Sequence, residues 1–258
     1  IYLTSVKTAI SLTVMHDGAG STGVCYSVNG GAAVYGAIAA NTLLTITPPT
    51  AGGGAFSVEI WPATSATSGR VGNLTHLICS GDEVTSLDVT NCPTLTDLYC
   101  RDNQLTTLDV SNNTALEDLD FSYSQLTSLD VSHLTALRYL KCSSCPQLST
   151  LVVTNCPSLV GLWASGSALS GHFDASGIST AIEYFSVNNN NITSLSLPAS
   201  NTYNSDMSDT WMILGNNDLD ADALNALYSS LDPTAPLSEY PINVFGNPGT
   251  TSDDPSLA

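Results

Sequence analysis

The sequence predicts a mainly β repeat solenoid, preceded by a small antiparallel β-sandwich and carrying one helix near its C-terminal end. Three observations predict it. Self-similar segments recur every 21 residues from Leu74 onward. Short β-branched runs, separated by Gly- and Pro-rich stretches, fill roughly the first 70 residues. An Ala- and Leu-rich stretch opens at Asp220.

The repeat dominates the reading, since a fixed period of this size marks stacked units that cannot bury an apolar face alone. Aligned at Leu74, Leu95 and Leu116, three copies read LTHLICSGDEVTSLDVTNCPT, LTDLYCRDNQLTTLDVSNNTA and LEDLDFSYSQLTSLDVSHLTA. A fourth copy begins at Leu137 with one extra residue near Cys145, and more diverged copies begin at Leu159 and Ile182. Two further copies are readable in 211–219 and 242–249. The pattern is L-x-x-L-x-(C/L)-x-x-N-x-L followed by T-x-L-D-V. It resembles the leucine-rich repeat family, above all the short repeats of secreted and surface proteins of Bacteroidetes and of some phage fibre proteins. The usual Asn stands at Asn103, Asn190, Asn217 and Asn247, and is replaced by Asp82, Ser124, Cys145 and Ser167.

Stacked at about 4.8 Å per coil, Leu77, Leu98, Leu119, Leu140 and Leu162 are expected to form one buried ladder. Cys79, Cys100, Phe121, Cys142 and Ala164 form the next. Leu87, Leu108, Leu129 and Leu151, with the valines two residues on, line the opposite wall. The Asn amides are expected to turn inward and satisfy backbone groups at the bend.

The flanks differ. Ala9–Val14, Val24–Val28, Leu43–Thr47 and Phe56–Trp61 read as strands of an immunoglobulin-like sandwich over residues 1–70, which would also protect the first coil. The solenoid spans 71–249, and 250–258 is a polar tail. Within the solenoid, Asp220 reads as the N-cap of a helix that Pro233 stops.

Composition excludes several functions. The formal charge is −18, from 23 acidic and 5 basic residues, which leaves no basic cluster for nucleic acid and disfavours an anionic membrane surface. No apolar run is long enough to span a membrane. The chain opens at Ile1 with no basic-then-apolar leader pattern. With only Lys7, Arg70, Arg101, Arg138 and Lys141 as basic residues, trypsin-like proteases find few sites, which suits life outside a cell.

Candidate chemistry is sparse. Asp218, Asp220 and Asp222 have the spacing of a calcium loop, but Ala223 and Ser229 stand where Gly and Glu are required, so helix capping is the better reading. Asp88, Asp109 and Asp130 share one repeat position and read as a solvated acidic stripe. Cys142-Ser-Ser-Cys145 lacks the second pair that a structural zinc site needs, and the ladder cysteines read as buried thiols. Three Asn-x-Thr sequons, at Asn73, Asn112 and Asn191, are expected by chance in so Asn- and Thr-rich a chain. No nucleophile elbow, HExxH or P-loop appears, so no enzyme, cofactor or metal is expected.

The informative constellation lies on the sheet of the solenoid. Repeat positions 3 and 5 flank the inward Leu and are expected to face solvent, because strand side chains alternate. Position 3 reads His76, Asp97, Asp118, Tyr139, Gly161, Tyr184 and Trp211; position 5 reads Ile78, Tyr99, Asp120, Lys141, Trp163, Ser186 and Ile213. Arg101 and Arg138 lie on or beside the same sheet, so three of the five basic residues meet several aromatics there. The expected function is therefore a non-enzymatic extracellular interaction protein, at a cell or virion surface, that binds a protein or glycan through this concave sheet. Tyr99, Arg101, Asp120, Arg138, Tyr139, Lys141, Trp163, Tyr184 and Trp211 are the expected contacts. The alternative is a self-assembling subunit of a filament, surface layer or virion fibre, with a homo-oligomeric contact. A polysaccharide-cleaving β-helix has coils of similar size, but no clustered Asp/Arg set supports it.

Overall fold

The computed structural model describes residues 74–90, 92–198, 211–230 and 242–250, together with six strands before residue 64. For those six strands, Leu74 and Trp211, the description covers the backbone only. The chain divides into two compact units, Ile1–Leu126 and Thr127–Ala258.

The first unit contains β1 (Tyr2–Ser5), β2 (Ile10–His16), β3 (Gly23–Val28), β4 (Val34–Gly36), β5 (Thr42–Ile46) and β6 (Phe56–Ala63). It continues with β7 (Leu74–Ile78), β8 (Val84–Asp88), β9 (Asp97–Tyr99) and β10 (Asp118–Asp120). The repeat strands β7, β9 and β10 pair in parallel and in register, Leu77 with Leu98 and Leu98 with Leu119. The four expected N-terminal runs are strands β2, β3, β5 and β6, and they pair antiparallel. The immunoglobulin-like reading turns on the segments between them, which lie outside the described residues. β2 pairs antiparallel with β7, and β1 pairs antiparallel with β8. The first coil thus has a strand along each wall, which satisfies backbone groups that a bare solenoid end would expose.

The second unit contains β11 (Ser128–Asp130), β12 (Tyr139–Lys141), β13 (Thr150–Val152), β14 (Gly161–Trp163), β15 (Ser170–Asp174), β16 (Tyr184–Ser186), β17 (Asn191–Ser196), β18 (Trp211–Ile213), α1 (Ala221–Ser230) and β19 (Ile242–Asn243). Here β12, β14, β16, β18 and β19 pair in parallel along one wall. The opposite wall is built from the pairs β11–β13 and β15–β17. The expected helix is α1, and Asp220 caps it: its Oδ1 accepts the Ala223 N–H at 2.8 Å. Leu224 and Leu227 are its buried face. Pro233 and residues 251–258 of the polar tail lie outside the described residues.

The predicted ladders form the cores. Leu77, Leu98 and Leu119 are fully buried in the first unit, as are Leu140, Leu162 and Phe185 in the second. The cysteine position is equally closed.

The inward asparagines hold each bend. Asn103 donates from Nδ2 to the Cys79 and Cys100 carbonyls, at 2.8 and 2.9 Å, and its Oδ1 accepts the Val84 N–H at 2.8 Å. Asn190 repeats this with Ala164, Val187 and Leu169. Asn217 repeats it with Val187, Leu214 and Ile192. Where the repeat has Ser167, its hydroxyl donates to the Cys142 carbonyl and accepts the Cys145 N–H. The residue before this position takes a left-handed backbone in coil after coil. Asp102, Tyr123, Ser144, Asn189 and Asn216 have φ between 54° and 59°, and Gly166 and Gly246 have 66° and 82°. That conformation reverses the chain sharply enough to aim the next side chain inward. It is cheap for Gly and Asn and costly for a ring such as Tyr123.

The acidic stripe has a structural task at the other bend. Asp88, Asp109, Asp130 and Asp174 each accept, through Oδ1, the backbone N–H two residues on, at 2.8–2.9 Å. The Thr90, Ser132 and Ser176 hydroxyls and amides hold the carboxyls of Asp88, Asp130 and Asp174 below the usual range.

Two outcomes are expected. Asn217→Ala strands the buried Ile192 amide and leaves the Val187 and Leu214 carbonyls with one ladder donor each, from Asn190 and Asn247, so urea denaturation should show a loss of about 1–3 kcal/mol. A loss under about 1 kcal/mol would contradict the ladder's role. A carboxyl whose folded pKa is depressed contributes stability above its unfolded pKa and loses it as pH falls through the folded value. Asp130→Ala should therefore cost more at about pH 7 than at about pH 2, and an equal cost at both would contradict the turn assignment.

Candidate functional site

The second unit gathers five of the expected contacts. Tyr139, Gly161 and Tyr184 are directly paired on β12, β14 and β16, with Trp163 two residues beyond Gly161. The Trp163 ring folds back over Gly161: a Cβ there would lie 2.5 Å from Trp163 Cζ3 and 2.8 Å from Tyr139 Cδ1. The indole therefore occupies the slot that a side chain at 161 would take, between the two tyrosines. Trp163 stacks on Tyr184 with centroids 4.7 Å apart and planes at 17°. It meets Tyr139 at 6.3 Å and 45°. Lys141 places Nζ 5.9 Å from the Tyr139 centroid and 5.7 Å from that of Trp163, and the Arg138 guanidinium lies 5.3 Å from Tyr139. These are cation–π distances. The three rings and Lys141 are half-buried and Arg138 is exposed. Trp211 pairs in register with Tyr184, and its side chain lies outside the described residues.

The alternation rule fails at two positions of this face. Asp120 and Ser186 were expected to face solvent but are 7% and 3% exposed. Their side chains turn along the strand instead, Asp120 accepting the Ser122 N–H at 3.0 Å and Ser186 donating to Asn188 Oδ1 at 2.7 Å.

The first unit carries a different, acidic surface. His76 Nε2 lies 3.0 Å from Asp97 Oδ2, and the Thr96 hydroxyl donates to that same oxygen at 2.7 Å. The Tyr99 hydroxyl donates to Asp118 at 2.9 Å and reaches Asp97 at 3.3 Å. Burial, reinforced by these two carboxylates, holds the Tyr99 phenol above its ordinary range. Arg101 leaves the strand and lies 5.7 Å from the Tyr123 ring. Sequence reasoning missed Tyr123, which is 53% exposed. The signal was its place just before the inward position, where other copies carry Gly, Asn, Asp or Ser.

Other candidates resolve structurally. Cys79, Cys92, Cys100, Cys142, Cys145 and Cys156 are buried thiols outside any disulfide. Burial pushes Cys79 up to about 12 and Cys156 up to about 11, so neither is a thiolate near neutral pH. The seventh cysteine, Cys25, lies in β3, where only the backbone is described. His172 bridges Ser194 and Ser196 across β15 and β17 at 2.8 and 3.2 Å on an exposed surface. Among the described residues, no three His, Cys, Asp or Glu side chains converge on a metal site. No helix among them is long and apolar enough to cross a membrane.

No family model and no curated protein matches the chain. Solved structures do. The functional domain of InlJ from Listeria monocytogenes, which includes a cysteine ladder, is 28% identical over 69% of this chain, with a TM-score of 0.49. The match covers 44% of that chain, so the present sequence spans less than half its length. The leucine-rich repeat domain of APL1B is 17% identical, covering 64% of this chain and 67% of its own, with a TM-score of 0.29. The 21-residue repeat, with its parallel strands stacked in register coil on coil, makes this chain a leucine-rich-repeat solenoid.

Gly161→Ala tests the packed aromatic row. The added methyl evicts the indole, so near-ultraviolet circular dichroism should change and stability should fall by about 1–3 kcal/mol. An unchanged spectrum and stability would place Trp163 elsewhere.

Proposed function

We propose that this chain is a non-enzymatic interaction domain that binds a protein partner through the sheet face of its second unit. One observation carries the reading: Tyr139, Trp163 and Tyr184 form a row locked by Gly161 and flanked by Arg138 and Lys141. Half-buried aromatics with fixed rotamers and adjacent cations supply binding energy at low ordering cost. The Trp163–Tyr184 stack uses ring faces that sugar stacking would need, which favours protein over glycan as the ligand class. Tyr99 and Arg101 of the first unit, and Trp211 of the second, are subsidiary contacts on this reading, and the buried Asp120 is not one. A boundary near residue 70 between sandwich and solenoid, and an extracellular or virion-surface setting, belong to the same proposal. Scarcity of basic residues supports that setting.

A second reading, a self-assembling filament, surface-layer or fibre subunit, is favoured by one feature. Phe245, beside the last strand, is 81% exposed.

The test is a binding panel of purified extracellular proteins and glycans, read with the wild type, Trp163→Ala, Tyr139→Ala and the off-face control His172→Ala. A ligand that loses at least about tenfold in affinity with the two face variants, and none with the control, is the expected result. Ligands held equally by all four proteins would remove the face from consideration.

A further inference from the structure

We propose that the bend of the first unit around Tyr123, Arg101 and Asp102 is a glycan-binding site, separate from the sheet face, that stacks a pyranose ring on the Tyr123 side chain. The proposal starts from a strained residue. Tyr123 has a φ of 59°, where the Cβ of an L-residue crowds its own backbone. Every other described coil puts Gly, Asn, Asp or Ser at this position, the residue types that adopt the conformation most readily. Burial does not offset the strain, because Tyr123 is 53% exposed. No second aromatic ring stacks on it among the described residues. A strained backbone that carries an exposed ring, without packing to require it, points to function.

The neighbours select a sugar as the occupant. Arg101 is exposed, with its guanidinium carbon 5.7 Å from the Tyr123 centroid. It forms no ion pair among the described residues, in a chain with 23 acidic side chains. Asp102, also exposed, holds the Tyr123 position one coil earlier, and its N–H donates to the Ser122 carbonyl at 2.8 Å. Its Oδ2 lies 3.8 Å from where a Gly81 Cβ would stand, so the bend beyond it is bare backbone. Gln104 and Gln125 follow the bend on the same two coils, and both are exposed. A protein hot spot needs a surrounding rim that excludes water, and this ring is surrounded by exposed polar groups instead. A pyranose fits those groups. Its C–H face packs on an aromatic ring. Its hydroxyls both donate and accept, which suits a donor-only guanidinium beside an acceptor-only carboxylate. The Trp163–Tyr184 stack, by contrast, already uses its ring faces internally.

An array of immobilised oligosaccharides built from hexoses, N-acetylhexosamines and uronic acids, probed with the full chain, reads this directly. The strongest oligosaccharide then goes to calorimetric titration. Tyr123→Asn and Arg101→Gln should each lose at least about tenfold in affinity for it. Trp163→Ala should bind it like the wild type, since that ring belongs to the second unit's partner face. Tyr123→Asn installs a residue that other coils use here, so its urea midpoint should equal or exceed that of the wild type. A lower midpoint would make the ring a packing element and overturn the proposal. So would sugar affinity that survives Tyr123→Asn. An array with no bound oligosaccharide would overturn it as well, and would leave the sheet-face reading untouched. Loss of the sugar with Trp163→Ala alone would move it to the sheet face. A purified protein ligand, rather than a sugar, lost with Tyr123→Asn would make the bend a protein contact; either result overturns the proposal.

Discussion

Every coil must reverse direction at each of its bends within a few residues, around a core of buried side chains. The backbone groups at the reversal must therefore be satisfied by the chain itself. The buried side chain at the ninth repeat position does this. One amide group takes two carbonyls, from its own coil and the one before, and gives its oxygen to an N–H on the opposite limb. The bond set spans neighbouring coils, so it fixes their register as well as the bend. The register in turn places Tyr139, Gly161 and Tyr184 side by side, and the candidate site depends on that alignment.

The same economy governs charge. A net charge of −18 looks like a functional signal, but part of it is architecture. Asp88, Asp109, Asp130 and Asp174 cap bends by accepting backbone amides, and Asp220 caps the helix. The cysteines follow suit. Their ladder position is closed to solvent whether it carries Cys, Ala or Phe121, and burial holds the Cys79 and Cys156 thiols protonated. What is left unexplained by folding is short: the aromatic row with its two cations, and the strained and exposed Tyr123 beside Arg101.

Much of this was legible before any coordinates. Periodicity gave the coils, the inward leucines and the opposite wall, because stacking forces identical positions into identical environments. The asparagines could be read inward because a polar residue repeating among apolar ones needs buried partners. The left-handed residue was not read, although Asp102-Asn103, Asn189-Asn190, Asn216-Asn217 and Gly246-Asn247 carry its signature in the residue types that tolerate positive φ. Alternation placed Tyr139, Lys141 and Trp163 on one face. It did not show that Trp163 would lie across Gly161, since a missing side chain is a vacancy only once its neighbours are known. Nor did it show Asp120 and Ser186 turning back onto nearby groups, because short polar side chains choose local hydrogen bonds over the direction the strand assigns.

The claim that a cross-coil amide ladder holds the solenoid together is tested most directly by amide hydrogen exchange. The N–H groups of Val84, Leu169, Ile192 and Leu219 lie in bends or at their edges, yet each donates to a ladder Asn oxygen. They should exchange only through global unfolding, as slowly as the core strands. Exchange as fast as that of exposed turn amides would contradict the account.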